Sequence, residues 1–414
     1  MKQIDDKNGL QQAREAGVQL TRLSIWWPDV EPVRTEPPTY EWQALNKVEQ
    51  CLANAAMAGI EVEVAVLFAP DWALAQPGHR CGPIAEDRLD EYAQFLSALV
   101  ARYSQAPYNV KYWELGNEPD VDPVLVPPTS GYGCWGDETD AFYGGRRYAQ
   151  MLKHAYPAIK AADPRAQVIL GGLLLFAPDI SPATFLAGVL EGGGGEFFDI
   201  LAYHAYIYYD PTIYNWTTAS HAHWNDWGGV ETGKARFLRQ VLADYGYDKP
   251  LMLNEAGLAW WPAEEPTEDF RQAQADYVVK LYTRAQAIEL ENVIWYGWRG
   301  PGFHYVALLN DDLSPTPAYH AFAFAVQQFE GARYLSPTNY LGTEGYEFQR
   351  GARRLQVIWS ADGEAHRVAV PAERFVGAWQ QDGRPADYEE TAGEVSLAVL
   401  RPVYVALEVE PEGE

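Results

Sequence analysis

The chain has 414 residues, 48% of them hydrophobic, which is too much for one ordinary core and enough for a large one with an accessory unit beside it. A formal net charge of −26 repels phosphate backbones and excludes nucleic acid as the expected partner. No apolar run approaches the length that crosses a bilayer, so the expectation is a neutral partner and no membrane.

Gln11 to Ala16 reads as the end of a helix, and Gln19 to Trp26 as a strand that carries Arg22. Helical spacing over Glu41 to Ala58 leads into the strand Ile60 to Phe68. Arg88 to Tyr103 is a helix and Val110 to Glu118 a strand; Arg147 to Ala162 is a helix and Gln167 to Leu173 a strand. A short helix near Thr184 to Leu190 precedes the strand Phe198 to Tyr206. Lys234 to Tyr245, Asp269 to Ile288 and Tyr319 to Phe329 are helices, separated by the strands Leu251 to Glu255 and Val293 to Trp298. Strands alternating with helices predict a parallel sheet, and their number favours a (β/α)8 TIM barrel over an open doubly wound sheet. No Gly-rich phosphate loop follows an early strand.

A barrel strand should precede the first helix, yet Met1 to Asp6 is short and polar. The first strand is therefore expected to be missing, by truncation, or degenerate. That predicts an irregular wall between the Gln19 and Val293 strands, with edges open to pairing with another chain. From about Gly331 the texture changes to short alternating runs: 346–350, 354–359, 366–370, 395–399 and 403–407. They predict a small antiparallel β-sandwich. The expected division is a catalytic barrel over 1–330 and an accessory sandwich over 331–414. The sandwich reads as a structural cap, with a carbohydrate-binding module as the alternative.

Two segments carry the chemistry. Tyr112-Trp113-Glu114-Leu115-Gly116-Asn117-Glu118-Pro119 and Pro250-Leu251-Met252-Leu253-Asn254-Glu255 each end an apolar strand on a glutamate. Active sites of such barrels lie at the C-terminal mouth. Pro119 biases Glu118 toward an extended backbone, which would aim its carboxylate out of that mouth. Two carboxylates there are the equipment for glycosidic cleavage: one protonates the leaving oxygen, the other attacks the anomeric carbon. Asn117 can donate to a substrate hydroxyl, and Arg22 can be the positive partner of the nucleophile. His204 and Tyr206 share a face by period-two alternation and can orient it; a satisfied core histidine is the ordinary alternative.

Aromatic residues make up 14% of the chain. Flat apolar faces with polar edges suit sugars, although large barrels also bury many. Trp298 is the candidate floor under the reacting sugar, with Trp295 competing. Trp72 and the cluster Tyr208, Tyr209, Trp216, Trp224 and Trp227 line further subsites or pack the loops. Of three cysteines, Cys51 reads as a buried thiol. Cys81 and Cys134 lie in Gly/Pro-rich loops and either pair or remain two thiols. A pair would imply an oxidising setting, extracellular or periplasmic, although the chain shows no signal peptide.

These residues resemble the clan of retaining glycoside hydrolases on (β/α)8 barrels with catalytic glutamates on strands four and seven. Asn117-Glu118-Pro119 matches the clan's acid/base motif, Glu255 its nucleophile, Arg22 the strand-two arginine and His204-Ala205-Tyr206 the His-x-Tyr of strand six. Trp298 matches the strand-eight tryptophan. Asp29-Val30-Glu31-Pro32 after Trp27, the His-x-Tyr and the C-terminal sandwich most resemble family thirty-nine, which includes β-xylosidases, α-L-iduronidases and endo-acting exopolysaccharide hydrolases. The resemblance implies a carbohydrate substrate and no cofactor. It departs at the absent first strand and at Gly116, which replaces a bulky residue and would widen the acid/base side of the cleft. Two other classes compete. A metal-dependent barrel hydrolase would need clustered ligands, and His221-Ala222-His223 is isolated among eight histidines. A catalytically impaired sugar-binding barrel would follow if the incomplete wall distorted the site.

Overall fold

The computed structural model describes residues 3–213, 222–262 and 264–409. Seven parallel strands form one sheet in sequential order: β1 (Leu20–Trp26), β2 (Glu61–Leu67), β3 (Tyr112–Leu115), β4 (Gln167–Leu173), β5 (Ile200–Tyr208), β6 (Leu251–Ala259) and β7 (Asn292–Trp295). Every residue of β6 and all but the first of β2 and β4 are buried, as expected of strands covered on both faces. The helices between them bury one stripe each. In Leu89–Tyr103 the buried residues are Leu89, Tyr92, Phe95, Leu96, Leu99, Val100 and Tyr103, at the three- and four-residue spacing of a single helix face. Thr267 caps Glu268–Ala287 by accepting from Phe270 N, and Glu268 and Asp269 complement the positive end of that helix.

β1 and β7 are the two ends of the strand order, and among the described residues no ladder joins them. The irregular wall expected there is present. Residues 4–9 lie across the seam without forming a strand. Ile4 is fully buried; its N–H donates to Cys51 Sγ and its carbonyl accepts from Asn54. A turn of 3-10 helix, Asp6–Asn8, follows. On the β7 side, Trp298 donates to Gly9 O, and Arg299 donates to Lys7 O and to the Asn8 side chain.

The C-terminal part is two antiparallel sheets. One has five strands in the order β12-β15-β10-β9-β8, and the other three in the order β11-β14-β13. Their ranges are β8 (Ala332–Pro337), β9 (Thr343–Arg350), β10 (Arg353–Ser360), β11 (His366–Pro371), β12 (Phe375–Gln380), β13 (Glu389–Thr391), β14 (Glu394–Val399) and β15 (Val403–Glu408). Ile358, Val405 and Leu407 of the first pack with Val368, Val370, Val395, Leu397 and Val399 of the second, which makes a sandwich. The other face of the larger sheet joins the main core through Phe348, Leu355, Val357 and Tyr404. Arg284 in the helix Glu268–Ala287 reaches across to Glu344 at 2.8 Å, and Arg401 to Asp276 at 2.9 Å.

Candidate active site

Arg22 on β1 is the hub. Its Nη1 donates to Glu255 Oε1 at 2.5 Å, its Nη2 to Asn117 Oδ1 at 2.8 Å and its Nε to Glu114 Oε2 at 2.6 Å. Burial would lower the Arg22 pKa, but the surrounding Glu114, Glu255 and Glu63 hold it well above its ordinary value. Tyr206 donates to the other oxygen of Glu255 at 2.6 Å. Burial and the Glu255 charge push the Tyr206 hydroxyl far up, so it is a hydrogen-bond donor and not a titrating group. Glu255 lies on β6, and the register sets it beside His204 of β5.

His204 Nδ1 is 2.8 Å from Glu118 Oε1 and 3.6 Å from Glu255 Oε2, so one imidazole nitrogen faces both carboxyl groups. Burial would lower its pKa, but Glu255 and Glu118 outweigh burial and raise it. Gly172 on β4 makes room for this ring: a Cβ there would lie 2.3 Å from His204 Nε2 and 2.6 Å from Asn254 Oδ1.

Glu118 departs from the expected backbone. β3 ends at Leu115, and Glu118 has φ +49°, left-handed and not extended. Such a conformation costs of order 1 kcal/mol for a residue with a Cβ. It is held by the Glu118 N–H donating to Gly172 O at 2.9 Å and by Asn117 O accepting from Gly133 N. The preference exerted by Pro119 is weaker than these tertiary bonds. Asn117 Nδ2 reaches Glu118 Oε2 only at 3.4 Å, because its carbonyl is taken by Arg22. A Cβ at Gly116 would meet nothing within 4 Å, but its φ of +95° favours glycine whatever the space around it.

The tryptophan expectations need correction. Trp298 packs near Tyr319 and Phe322 and donates to Gly9 O, away from Glu255. β7 stops at Trp295, and Gly297 (φ +95°) turns the chain, so strand alternation does not reach 298. Trp295 is buried with its N–H on Val306 O. The residue that faces the site from here is Tyr296, with its ring 5.5 Å from Tyr206 and its pKa raised by burial and by the Glu255 charge. Phe303 packs edge-on to Tyr206 at 5.4 Å. Trp72 packs on buried Trp27 and donates to Glu31 O, so it belongs to the wall. Tyr208 senses the charge of Glu118 and packs on exposed Trp261. Tyr209 stacks on Trp260, Trp224 is buried with its N–H on Phe176 O, and Trp227 packs on Phe237; these three pack the loops. Trp216 and His221 lie outside the described residues.

Cys81 and Cys134 form a disulfide with Cα atoms 5.1 Å apart, and Cys51 is a buried free thiol. The sequence reading missed Glu63, Glu114, Asn254, Tyr296, Asp120 and Lys234. A signal existed for the first two: a glutamate inside an apolar parallel strand must find partners. Asp120 accepts from Leu174 N and Leu175 N, and burial pushes its carboxyl up to about 6. Lys234 donates to Leu174 O and His204 O and is lowered by burial to about 8. Together they fix the backbone behind the site. Among the described residues no group of three or more His, Cys, Asp or Glu side chains is arranged to hold a metal ion.

No family model matches the sequence, and no curated protein matches it. Solved structures do. A family 39 glycoside hydrolase from the gut symbiont Bacteroides cellulosilyticus superposes with a TM-score of 0.70 at 19% identity, over 98% of this chain and 78% of that one. The fold is that of the clan-A glycoside hydrolases. A family 30 subfamily 8 xylanase from Clostridium acetobutylicum gives 0.62 at 12% identity, over 99% and 94% of the two chains. A family 51 α-L-arabinofuranosidase from Bifidobacterium longum gives 0.62 at 15% identity, over 98% and 91%. No helix among the described residues is long and apolar enough to cross a membrane.

Proposed function

We propose that the protein is a retaining glycoside hydrolase in which Glu118 is the acid/base and Glu255 the nucleophile. The observation that carries the reading is the single His204 nitrogen at 2.8 Å from one carboxyl group and 3.6 Å from the other. These two contacts keep the facing carboxyl oxygens within about 6.4 Å of each other, below the ~6.5–9.5 Å that an inverting enzyme holds open for a water, which favours direct attack. In the first step a Glu255 oxygen bonds to the anomeric carbon, the bond from that carbon to the glycosidic oxygen breaks, and the Glu118 proton goes to the leaving oxygen. In the second, Glu118 takes a proton from water, the water oxygen bonds to the anomeric carbon, and the ester to Glu255 breaks. Arg22 and Tyr206 hold both Glu255 oxygens, which aims the carboxylate before substrate arrives.

The substrate is a carbohydrate, and β-xylosidase-like or endo-β-glycanase action on oligo- or polysaccharides is favoured. The fold shared with family 39 and family 30 enzymes supports this, as does the aromatic lining of Tyr206, Tyr296 and Phe303. The Cys81–Cys134 disulfide supports an extracellular or periplasmic setting. A sugar-binding barrel without turnover is the competing reading, favoured by the open seam between β1 and β7. A panel of aryl glycosides and polysaccharides separates the two. We expect turnover of at least one class by the wild type, and loss of it by Glu255→Gln with sugar binding retained. Binding without any turnover supports the competing reading.

A further inference from the structure

Three carboxyl groups converge on one guanidinium. Arg22 lies 2.5 Å from Glu255, 2.6 Å from Glu114 and 3.5 Å from Glu63. Glu63 and Glu114 are fully buried, where one positive charge cannot balance three negative ones. Donor counts distinguish the three. Glu114 accepts from Arg22 Nε, from Gly172 N at 2.8 Å and from Asn254 Nδ2 at 3.0 Å. Glu255 accepts from Arg22 and Tyr206. Glu63 has one close donor, Asn254 Nδ2 at 2.8 Å on Oε1, while its Oε2 is buried and receives none. A carboxylate oxygen in that position would be a desolvated charge without a donor; a protonated one is itself a donor, and Glu114, which shares the Asn254 Nδ2 donor with Glu63, is the neighbouring acceptor.

We propose that Glu63 and Glu114 share one proton, carried on Glu63, and that this pair is the positioning device that locks Arg22 into its fork on Glu255 and Asn117. The groups facing the pair are Arg22 from β1, the Gly172 backbone from β4, Asn254 from β6, and the buried hydroxyl of Tyr148 in the helix Gly145–Ala162, which burial chiefly, and also the Glu114 charge, push up. Burial and the Glu114 charge push Glu63 well up. Burial acts upward on Glu114 too, but the charge and hydrogen bond of Arg22 bring it below its ordinary value. One residue of the pair is thus neutral and the other anionic, and Arg22 is balanced by two carboxylates, Glu114 beneath it and Glu255 in front. The inference deepens the proposed hydrolase and rests on it for its kinetic arm only.

The test compares two isosteric variants. Glu63→Gln replaces the O–H donor by an N–H donor, and its loss in kcat/KM is expected to be at least about tenfold smaller than that of Glu114→Gln. Glu114→Gln removes the anion that Arg22 needs and is expected to lose at least about a hundredfold, in kcat more than in KM, with the melting temperature reported beside it. The spectroscopic arm needs no turnover. The infrared difference spectrum, wild type minus Glu63→Gln at neutral pH, is expected to show the carbonyl band of a protonated carboxyl group. If Glu63→Gln does not fold, assigned carbon-13 NMR of glutamate-labelled wild type reads the Glu63 protonation state directly. Equal kinetic losses in the two folded variants, or an ionised Glu63 at neutral pH, would overturn the proposal. Absence of turnover on every glycoside would instead remove the hydrolase reading and leave the shared proton to the spectroscopic arm.

Discussion

His204 ties the two carboxyl groups together, and its raised pKa makes its contribution to stability depend on pH. The folded state favours its protonated form, so the contribution is fully present below the ordinary value of 6.5 and is lost as pH rises through the raised value. The gap in urea midpoint between wild type and His204→Asn should therefore be larger at about pH 6 than at about pH 9, and a gap independent of pH would contradict the argument. Glu118 yields a second prediction. If it donates the proton to the leaving oxygen, Glu118→Ala should fall by about a hundredfold or more on glycosides with poor leaving groups, and far less on activated aryl glycosides that need no protonation. Equal losses on both would remove that role. At this scale Glu118 and Glu255 were legible because each follows an apolar run, Glu118 beside Pro119, although neither ends its strand: β3 stops at Leu115 and β6 continues past Glu255 to Ala259. The support beneath them was not. Glu63, Glu114 and Gly172 come from three different strands, and their meeting depends on register, which no local pattern fixes.

The elements were read well where burial on both faces leaves long apolar runs, as in β2 and β4, while β6 was read only to Glu255 and runs on to Ala259. The reading failed where elements are short or exposed. β13 is exposed along its whole length, so it has no alternation to detect. β8 and β12 were missed for a related reason: both are only partly covered. Trp298 was misplaced because the chain turns at Gly297, and an apolar pattern does not show where hydrogen bonding stops. The contact between the helix Glu268–Ala287 and the sandwich was also invisible, since it rests on charges. Arg284 lies between Glu344 at 2.8 Å and Glu231 at 3.4 Å, and all but a small part of its side chain is covered. Arg284→Ala would leave both carboxylates with only the weaker influence of Lys280 and should cost ~3–5 kcal/mol in chemical denaturation. A cost under about 1 kcal/mol would show the contact to be solvent-screened.

For the whole molecule, the alternation of strands and helices implied a barrel, and the polar start of the chain implied a gap in its wall. What the sequence could not show is how the gap is filled. The buried Ile4 sits on a segment that is not a strand, tied to Cys51 and Asn54 of the helix Asn46–Ala58 at one end and, through Gly9, to Trp298 at the other. Ile4→Ala should therefore destabilise the fold by ~2–4 kcal/mol, as truncation of a core residue does. A loss below about 0.5 kcal/mol in thermal or urea unfolding would show the segment to be dispensable. We propose further that residues 331–414 form a distinct accessory unit whose role is to buttress the helices behind the site.

The proposed reaction requires Glu118 and Glu255 to act on one sugar ring at short range. The most direct measurement follows the first product of the best substrate by proton NMR, before mutarotation, and reads its anomeric configuration. Retention of the substrate's configuration is predicted from the shared His204 contact, and an inverted first product would contradict it.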